Sequence, residues 1–113
     1  MFTNDFIPEG SLIEICPVII LPKEELPLIH STKLHDYYFF WGWEDDQCAI
    51  ALGFGSLYNH SYDPNARYWL DIENETIDFV AWRDIHSGEE ILVNYNGDPE
   101  DQSPVWFEGR RSR

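Results

Sequence analysis

Short apolar runs separated by turn-forming residues set the pattern of the chain. The first two, Ser11 to Cys16 and Val18 to Leu21, predict strands on either side of Pro17. The aromatic run from Tyr37 to Trp43 predicts a strand that is buried on both faces or lines a pocket. Cys48 to Leu52 predicts a further short strand. The first half of the chain is therefore expected to be rich in strands.

The second half continues with strands and tight turns. Arg67 to Ile72 and Thr76 to Arg83 predict an antiparallel pair, because apolar and polar positions alternate in the second run. Ser56 to Asn65 is expected to be irregular, since the residue before Pro64 is disfavoured in a helix. Glu90 to Tyr95 predicts the last strand. The predicted fold class is mainly β, with roughly six or more short strands.

The charge of the chain limits its partners. Its 113 residues are enough for one domain with one modest core. The net charge of -14, from 21 acidic and 7 basic side chains, repels nucleic acid and anionic membranes and attracts basic partners. The same acidity would equally serve solubility alone. We expect no direct nucleic-acid binding and no membrane span, because the longest apolar run, Val18 to Leu21, is far too short.

Cysteine and histidine positions give no sign of a metal site. Cys16 and Cys48 form no CxxC pair, so neither a zinc site nor a disulfide framework is predicted. The four histidines lack metal-ligand spacing, and no metal is expected. The stretch from Met1 to Asp5 has neither the basic nor the apolar region of a signal peptide. Free thiols without an export signal predict a cytoplasmic protein.

Two segments carry the most specific signal in the chain. Asn59 to Asn65 reads Asn-His-Ser-Tyr-Asp-Pro-Asn, and Gly88 to Tyr95 reads Gly-Glu-Glu-Ile-Leu-Val-Asn-Tyr. With Phe6 to Ile13 and Phe79 to Ile85, they resemble the signatures of SET-domain protein lysine methyltransferases over nearly the whole chain. The chain looks like the minimal viral or bacterial type, which lacks pre-SET and zinc post-SET segments. The resemblance implies one SET domain over residues 1–113, a β-clip-like fold in which the Asn-His-Ser segment and the C-terminal strand cross in a knot-like arrangement.

The resemblance also implies a cofactor site for S-adenosylmethionine. Asn59 and His60 would contact its amino-acid and adenine ends, and Tyr95 would contact it as the catalytic tyrosine. Trp106, in the C-terminal closing segment 98–113, would cover the adenine. An asparagine amide can both donate and accept hydrogen bonds, which suits this role. The alternatives stay open that Asn59 only ties the crossing together and that Tyr95 is a core aromatic.

A substrate channel is the second implied site. Tyr37 matches the family's channel tyrosine and is the other catalytic candidate. Leu52, Gly53 and Phe54 would form an edge to which a peptide adds as a strand. Aromatic walls suit an alkyl chain that ends in a cation, as a lysine side chain does. The neighbouring aromatic residues are each more simply explained as core.

The implied function is S-adenosylmethionine-dependent N-methylation of a lysine in a basic protein segment, such as a histone-like tail. The alternative, from another class, is a catalytically silent SET-like module that binds a basic peptide or protein partner. The family's glycine-rich cofactor turn is absent ahead of Met1, which favours the alternative. Asn59, His60 and Tyr95 favour the enzyme. Minimal relatives that dimerise make a homodimer possible.

Overall fold

Strands make up most of the regular structure. The computed structural model describes residues 1–42 and 47–103. The strands are β1 (Leu12–Leu21), β2 (Tyr38–Trp41), β3 (Gln47–Ala51), β4 (Asn59–His60), β5 (Ala66–Asp71), β6 (Thr76–Ala81) and β7 (Leu92–Val93). One short helix, α1 (Leu26–His30), and 3-10 turns at Lys23–Glu25, Lys33–Asp36 and Gly55–Leu57 complete the regular elements of the described ranges. The prediction of a mainly β fold is confirmed.

Strand β1 is the centre of a five-stranded sheet with the order β2-β3-β1-β6-β5. Its first half pairs with β6 as far as Pro17, which faces Thr76. Its second half pairs with β3 from Val18, which faces Ala51. Proline has no N–H, and the Pro17 carbonyl accepts a hydrogen bond from the backbone N–H of Leu52 at 2.9 Å. Because Pro17 lies where the strand changes partner, one continuous strand replaces the two that were predicted.

The core lies against one face of this sheet. In β6, Ile77, Phe79 and Ala81 are buried, and the residues between them are half-buried. Cys16 of β1 belongs to the same buried cluster. This alternation confirms the predicted strand and its antiparallel pairing with β5. Burying each large side chain, such as Ile77 or Phe79, contributes about 1.5–3 kcal/mol.

The aromatic run from Tyr37 to Trp43 differs from one of its predictions. Strand β2 lies at the edge of the sheet, next to β3. Phe40 is 55% exposed there, whereas Trp41 is buried. Burial on both faces is therefore wrong for this strand, because an edge strand leaves one side open to solvent. Tyr37, just before β2, instead lines a cavity, which was the other prediction; Trp43 lies outside the described residues.

The N-terminal segment packs beside the second signature segment. Phe2 forms an antiparallel bridge with Glu90, and Ile7 forms one with Ile85. The last strand is shorter than the predicted Glu90 to Tyr95, because regular pairing is limited to Leu92–Val93. Along the ranges that the structure describes, no helix is long and apolar enough to span a bilayer.

Candidate active site

The two signature segments meet side by side. Strands β4 and β7 pair in parallel, with Asn59 opposite Leu92 and His60 opposite Val93. The backbone N–H of Ser61 extends this pairing by donating to the Val93 carbonyl at 3.0 Å. The Asn-His-Ser segment therefore lies beside the C-terminal strand, as the predicted crossing requires. Each strand has only two residues, so other contacts must hold the pair in register.

Asn65 supplies such contacts, although the sequence predicted only that it ends an irregular segment. Its side chain is buried, with 1% exposure. The amide Nδ2 donates to the Glu90 carbonyl at 2.8 Å, and Oδ1 accepts from the Leu92 N–H at 2.8 Å. The side chain thus supplies hydrogen-bond partners for the Glu90 carbonyl, just before β7, and for the Leu92 N–H at its start. The only sequence signal for this role was the last asparagine of the first signature.

Tyr95 is anchored at several points immediately after β7. Its hydroxyl donates to the Tyr58 carbonyl at 2.6 Å, and its backbone N–H donates to Nδ1 of His60 at 3.0 Å. Its carbonyl accepts from the Tyr68 hydroxyl at 3.3 Å. Because the hydroxyl proton points at a carbonyl, the phenol oxygen presents its lone pairs on another side. The position of this predicted catalytic residue and the direction of its hydroxyl proton are therefore both fixed.

His60 links the two signature segments through its ring. A backbone N–H can only donate, so Nδ1 of His60 must be the acceptor from Tyr95. The proton of the neutral ring is therefore on Nε2. The ring also packs edge-on against Tyr62, with centroids 4.5 Å apart. His60 thus positions Tyr95, in addition to the cofactor contact that the resemblance implies for it.

Asn59 and Glu90 form a polar pair beside the crossing. Nδ2 of Asn59 donates to Oε2 of Glu90 at 2.6 Å. The same carboxylate oxygen lies 3.9 Å from the N-terminal ammonium group of Met1. The hydrogen bond fixes which way the Asn59 amide points, because an ionised carboxylate only accepts. The two readings of Asn59, as a cofactor contact or a tie across the crossing, are compatible with this geometry.

Two of the predicted substrate residues line a cavity of about 350 Å³. Tyr37 and Gly53 both line it, and its other walls are mostly apolar: Leu34, Ile50, Ala51 and Leu57, with Lys33 and Ser56. Leu52 and Phe54, on either side of Gly53, are 44% and 52% exposed. The hydroxyl of Ser56 donates to the Tyr37 carbonyl at 3.0 Å and joins the two sides of the cavity. The structure thus brings Tyr37 together with the predicted substrate edge.

Glu14 of β1 is a site residue that sequence reasoning missed. Its Oε1 accepts from the Tyr58 hydroxyl at 2.8 Å, and its Oε2 accepts from the Phe54 backbone N–H at 3.0 Å. A half-buried carboxylate within a strand is an unusual feature. The sequence signal was one acidic residue among apolar ones, between Ile13 and Ile15, which a solvent-facing position would have explained equally well.

Burial and Glu14 together keep two neighbouring groups protonated. Desolvation raises the pKa of the Cys16 thiol to about 12, and its hydrogen bond to Glu14 adds to the effect. Desolvation also raises the pKa of Tyr58, again with a contribution from its hydrogen bond to Glu14. Tyr58 is 3% exposed. Its phenol therefore remains a hydrogen-bond donor throughout the pH range in which the protein would work.

Trp106, the predicted adenine cover, lies outside the described residues, as does most of the closing segment 98–113. In residues 1–42 and 47–103, no cluster of three or more His, Cys, Asp or Glu side chains could hold a metal ion. The candidate site therefore consists of the crossing strands, the anchored tyrosine and the adjoining cavity.

A mainly β fold in which the two signature segments lie side by side next to Tyr95 is what the resemblance to SET-domain methyltransferases predicted. The SET domain model matches residues 1–96, and the chain belongs to this family. A histone-lysine N-methyltransferase of Schizosaccharomyces pombe, specific for lysine 37 of histone H3, is 34% identical over 113 residues, which is 99% of this chain and 71% of that protein. The chain is thus a protein-lysine methyltransferase.

Solved structures agree with this assignment. A Plasmodium falciparum protein to which histone methyltransferase activity is attributed has a TM-score of 0.67 and 31% identity, over 86% of each chain. A chain of the Chaetomium thermophilum Polycomb repressive complex 2, in an autoinhibited conformation bound to S-adenosylmethionine, has a TM-score of 0.68. That match has 22% identity over 83% of this chain and 13% of the other, and it supports the fold alone.

Proposed function

We propose that this chain transfers the methyl group of S-adenosylmethionine to a lysine side chain in a basic protein segment. The observation that carries the proposal is the anchoring of Tyr95, whose hydroxyl is held by Tyr58 and whose backbone is held by His60. Histone tails are the first candidates, because the Schizosaccharomyces pombe relative is specific for lysine 37 of histone H3. The net charge of -14 supports a basic substrate.

The polar groups at the crossing fit this cofactor. Its amino-acid end carries an ammonium and a carboxylate, and the Asn59 amide can donate to one and accept from the other. The Glu90 carboxylate, which accepts a hydrogen bond from Asn59, would favour the ammonium group of that end at this place. When bound, the cofactor supplies an electrophilic methyl group on a positively charged sulfur.

The work of the protein is to align the substrate amine and keep it neutral. A free lysine has a pKa of about 10.4, so the amine must lose a proton before it can accept a methyl group. The mostly apolar cavity beside Tyr37 and Gly53 would disfavour the charged form by desolvation. The Tyr95 oxygen would then accept a hydrogen bond from the amine and hold it in line. We propose that the peptide docks along Leu52, Gly53 and Phe54.

The test uses radiolabelled S-adenosylmethionine with peptides from basic histone tails, each paired with a copy in which arginine replaces every lysine. We expect label in the lysine peptides and none in the arginine copies. Label in both would contradict lysine transfer. Peptide binding without transfer to any peptide or to whole histones would support the silent module that the sequence left as the alternative.

A further inference from the structure

Glu14 connects two parts of the site that are far apart in the sequence. It lies on β1, 44 residues before Tyr58 and 40 residues before Phe54. Each of its two carboxylate oxygens has a different partner, so one side chain holds both a buried phenol and a loop amide. Hydrogen bonds to an ionised acceptor are stronger than neutral ones, which suits a fixed connection.

The Phe54 amide belongs to the predicted substrate edge. Gly53, just before it, has a φ of 70°, and a Cβ at this position would overlap the Glu14 carboxylate. The backbone conformation favours glycine, and any larger residue here would also displace the Glu14 carboxylate. The shape of the edge and the position of the carboxylate depend on each other.

The Tyr58 side of the link leads directly to Tyr95. Glu14 fixes the Tyr58 ring through the hydroxyl, and the carbonyl of the same residue accepts the Tyr95 hydroxyl at 2.6 Å. The Tyr58 ring packs on Phe79 of the core, with centroids 4.8 Å apart. Because the packed ring cannot rotate freely, a displacement of its hydroxyl is passed on to the Tyr58 backbone. A change at Glu14 should therefore shift the carbonyl that aims the Tyr95 hydroxyl.

We propose that Glu14 is a positioning residue that couples the substrate edge to Tyr95 through Tyr58. The proposal deepens the proposed function and rests on it for its kinetic consequences. Peptide docking along residues 52–54 would then be transmitted to the hydroxyl that orients the amine. Glu14 itself touches neither the substrate nor the cofactor in this scheme.

The experiment compares Glu14→Gln, Tyr58→Phe and the double variant with the unchanged chain. Glutamine keeps one acceptor oxygen and replaces the other by a donor, so one of the two hydrogen bonds is lost and the other loses its charged acceptor. Glu73→Gln, at the exposed turn before β6, removes the same charge and is the matched control. We expect about a tenfold fall in kcat for each single variant, which is the scale of one modest interaction. The double variant should be no slower than the slower single one, because both remove the same link.

The backbone amide resonances of Phe54 and Tyr95 in NMR spectra give a measurement that does not depend on activity. Glu14→Gln should shift both signals, and Tyr58→Phe should shift that of Tyr95. The Glu73→Gln control should shift neither. Affinity for S-adenosylmethionine, measured by calorimetry, should stay nearly constant throughout.

Several results would overturn the coupling. One is an unmoved Tyr95 signal in both Glu14→Gln and Tyr58→Phe. Another is an unchanged kcat with a lower melting temperature, which would make Glu14 purely structural. If Glu14→Gln fails to fold, Tyr58→Phe decides the question, since it retains the ring and the backbone. If the unchanged chain transfers no methyl group, the proposed function fails, and the NMR signals still decide whether the link exists.

Discussion

The Tyr95 hydroxyl points at a backbone carbonyl, so its orientation depends on the main chain at Tyr58 and not on another mobile side chain. Tyr95→Phe would leave the ring in place and remove the group that holds the amine. We expect kcat for methyl transfer to fall by about 10²-fold or more, as for other positioned catalytic groups. Cofactor affinity should change little, because the backbone bond to His60 remains. Radiolabel transfer and calorimetric titration with S-adenosylmethionine measure the two quantities.

Tyr38→Phe is the matched control for this prediction. The Tyr38 hydroxyl makes a hydrogen bond with Nδ1 of His30 at 3.0 Å, on the exposed edge strand. Tyr38→Phe removes a phenol hydroxyl, as Tyr95→Phe does, but at a position away from the crossing. The kcat of this variant should stay close to that of the unchanged chain. An equal rate in both variants would remove Tyr95 from its proposed role.

Cys16 should make the stability of the fold sensitive to alkaline pH. Burial and the neighbouring Glu14 raise the pKa of its thiol from 9.0 to about 12. The unfolded chain releases this proton near pH 9, whereas the folded chain retains it until about pH 12. The contribution to the free energy of unfolding is therefore complete below pH 9 and is lost as the pH rises above it. Urea unfolding at several pH values between about 8 and 11 measures this decline.

Cys16→Ala should make that decline shallower, because the thiol no longer titrates. Some decline will remain, since the pKa of the buried Tyr58 is also raised by desolvation and by Glu14. The variant is expected to be less stable at neutral pH, so the slope and not the absolute free energy is compared. Identical slopes would contradict the role of Cys16.

At the scale of elements, the β4–β7 pair depends on Asn65. Asn65→Ala would leave the Glu90 carbonyl and the Leu92 N–H without their side-chain partner in a buried place. We expect a loss of about 2–4 kcal/mol in the free energy of unfolding, since each abandoned buried group costs about 1–3 kcal/mol. Urea unfolding monitored by tryptophan fluorescence measures it.

Asn74→Ala provides the comparison for the Asn65 variant. The Asn74 side chain donates a hydrogen bond to Asp71 in the exposed turn between β5 and β6, where water can replace it. Its loss should cost less than about 1 kcal/mol. A comparable cost for both variants would mean that Asn65 acts only through turn propensity.

The sequence predicted elements well where their signal was local. Ile77, Phe79 and Ala81 alternate with less buried residues, as the sequence predicted. The alternation holds because β6 lies between β1 and β5 and turns one face toward the core. The continuity of β1 through Pro17 depends on which strand pairs on each side, which no local pattern contains. For the same reason, the aromatic composition of β2 did not reveal that it lies at the edge of the sheet.

Over the whole molecule, the two signature segments indicated the family and the place of the site, because their motifs are specific. The contacts between them were not predictable. The Glu14–Tyr58 hydrogen bond spans 44 residues, and the Tyr95–His60 bond spans 35. Such pairings depend on how three separate segments pack, so a single sequence gives no means to choose Glu14 over another acidic residue.

The net charge of -14 acts at the scale of the whole molecule. Charges of this size attract a basic peptide over distances comparable with the Debye length, which is about 10 Å at 0.1 M salt and shortens as salt rises. We expect kcat/KM for a basic histone-tail peptide to fall steeply between about 0.05 and 0.5 M salt, mainly through KM. A peptide with the same lysine and neutral residues in place of the flanking basic ones should show a much weaker dependence. Equal salt dependence of the two peptides would mean that the acidic surface serves solubility and does not guide the substrate.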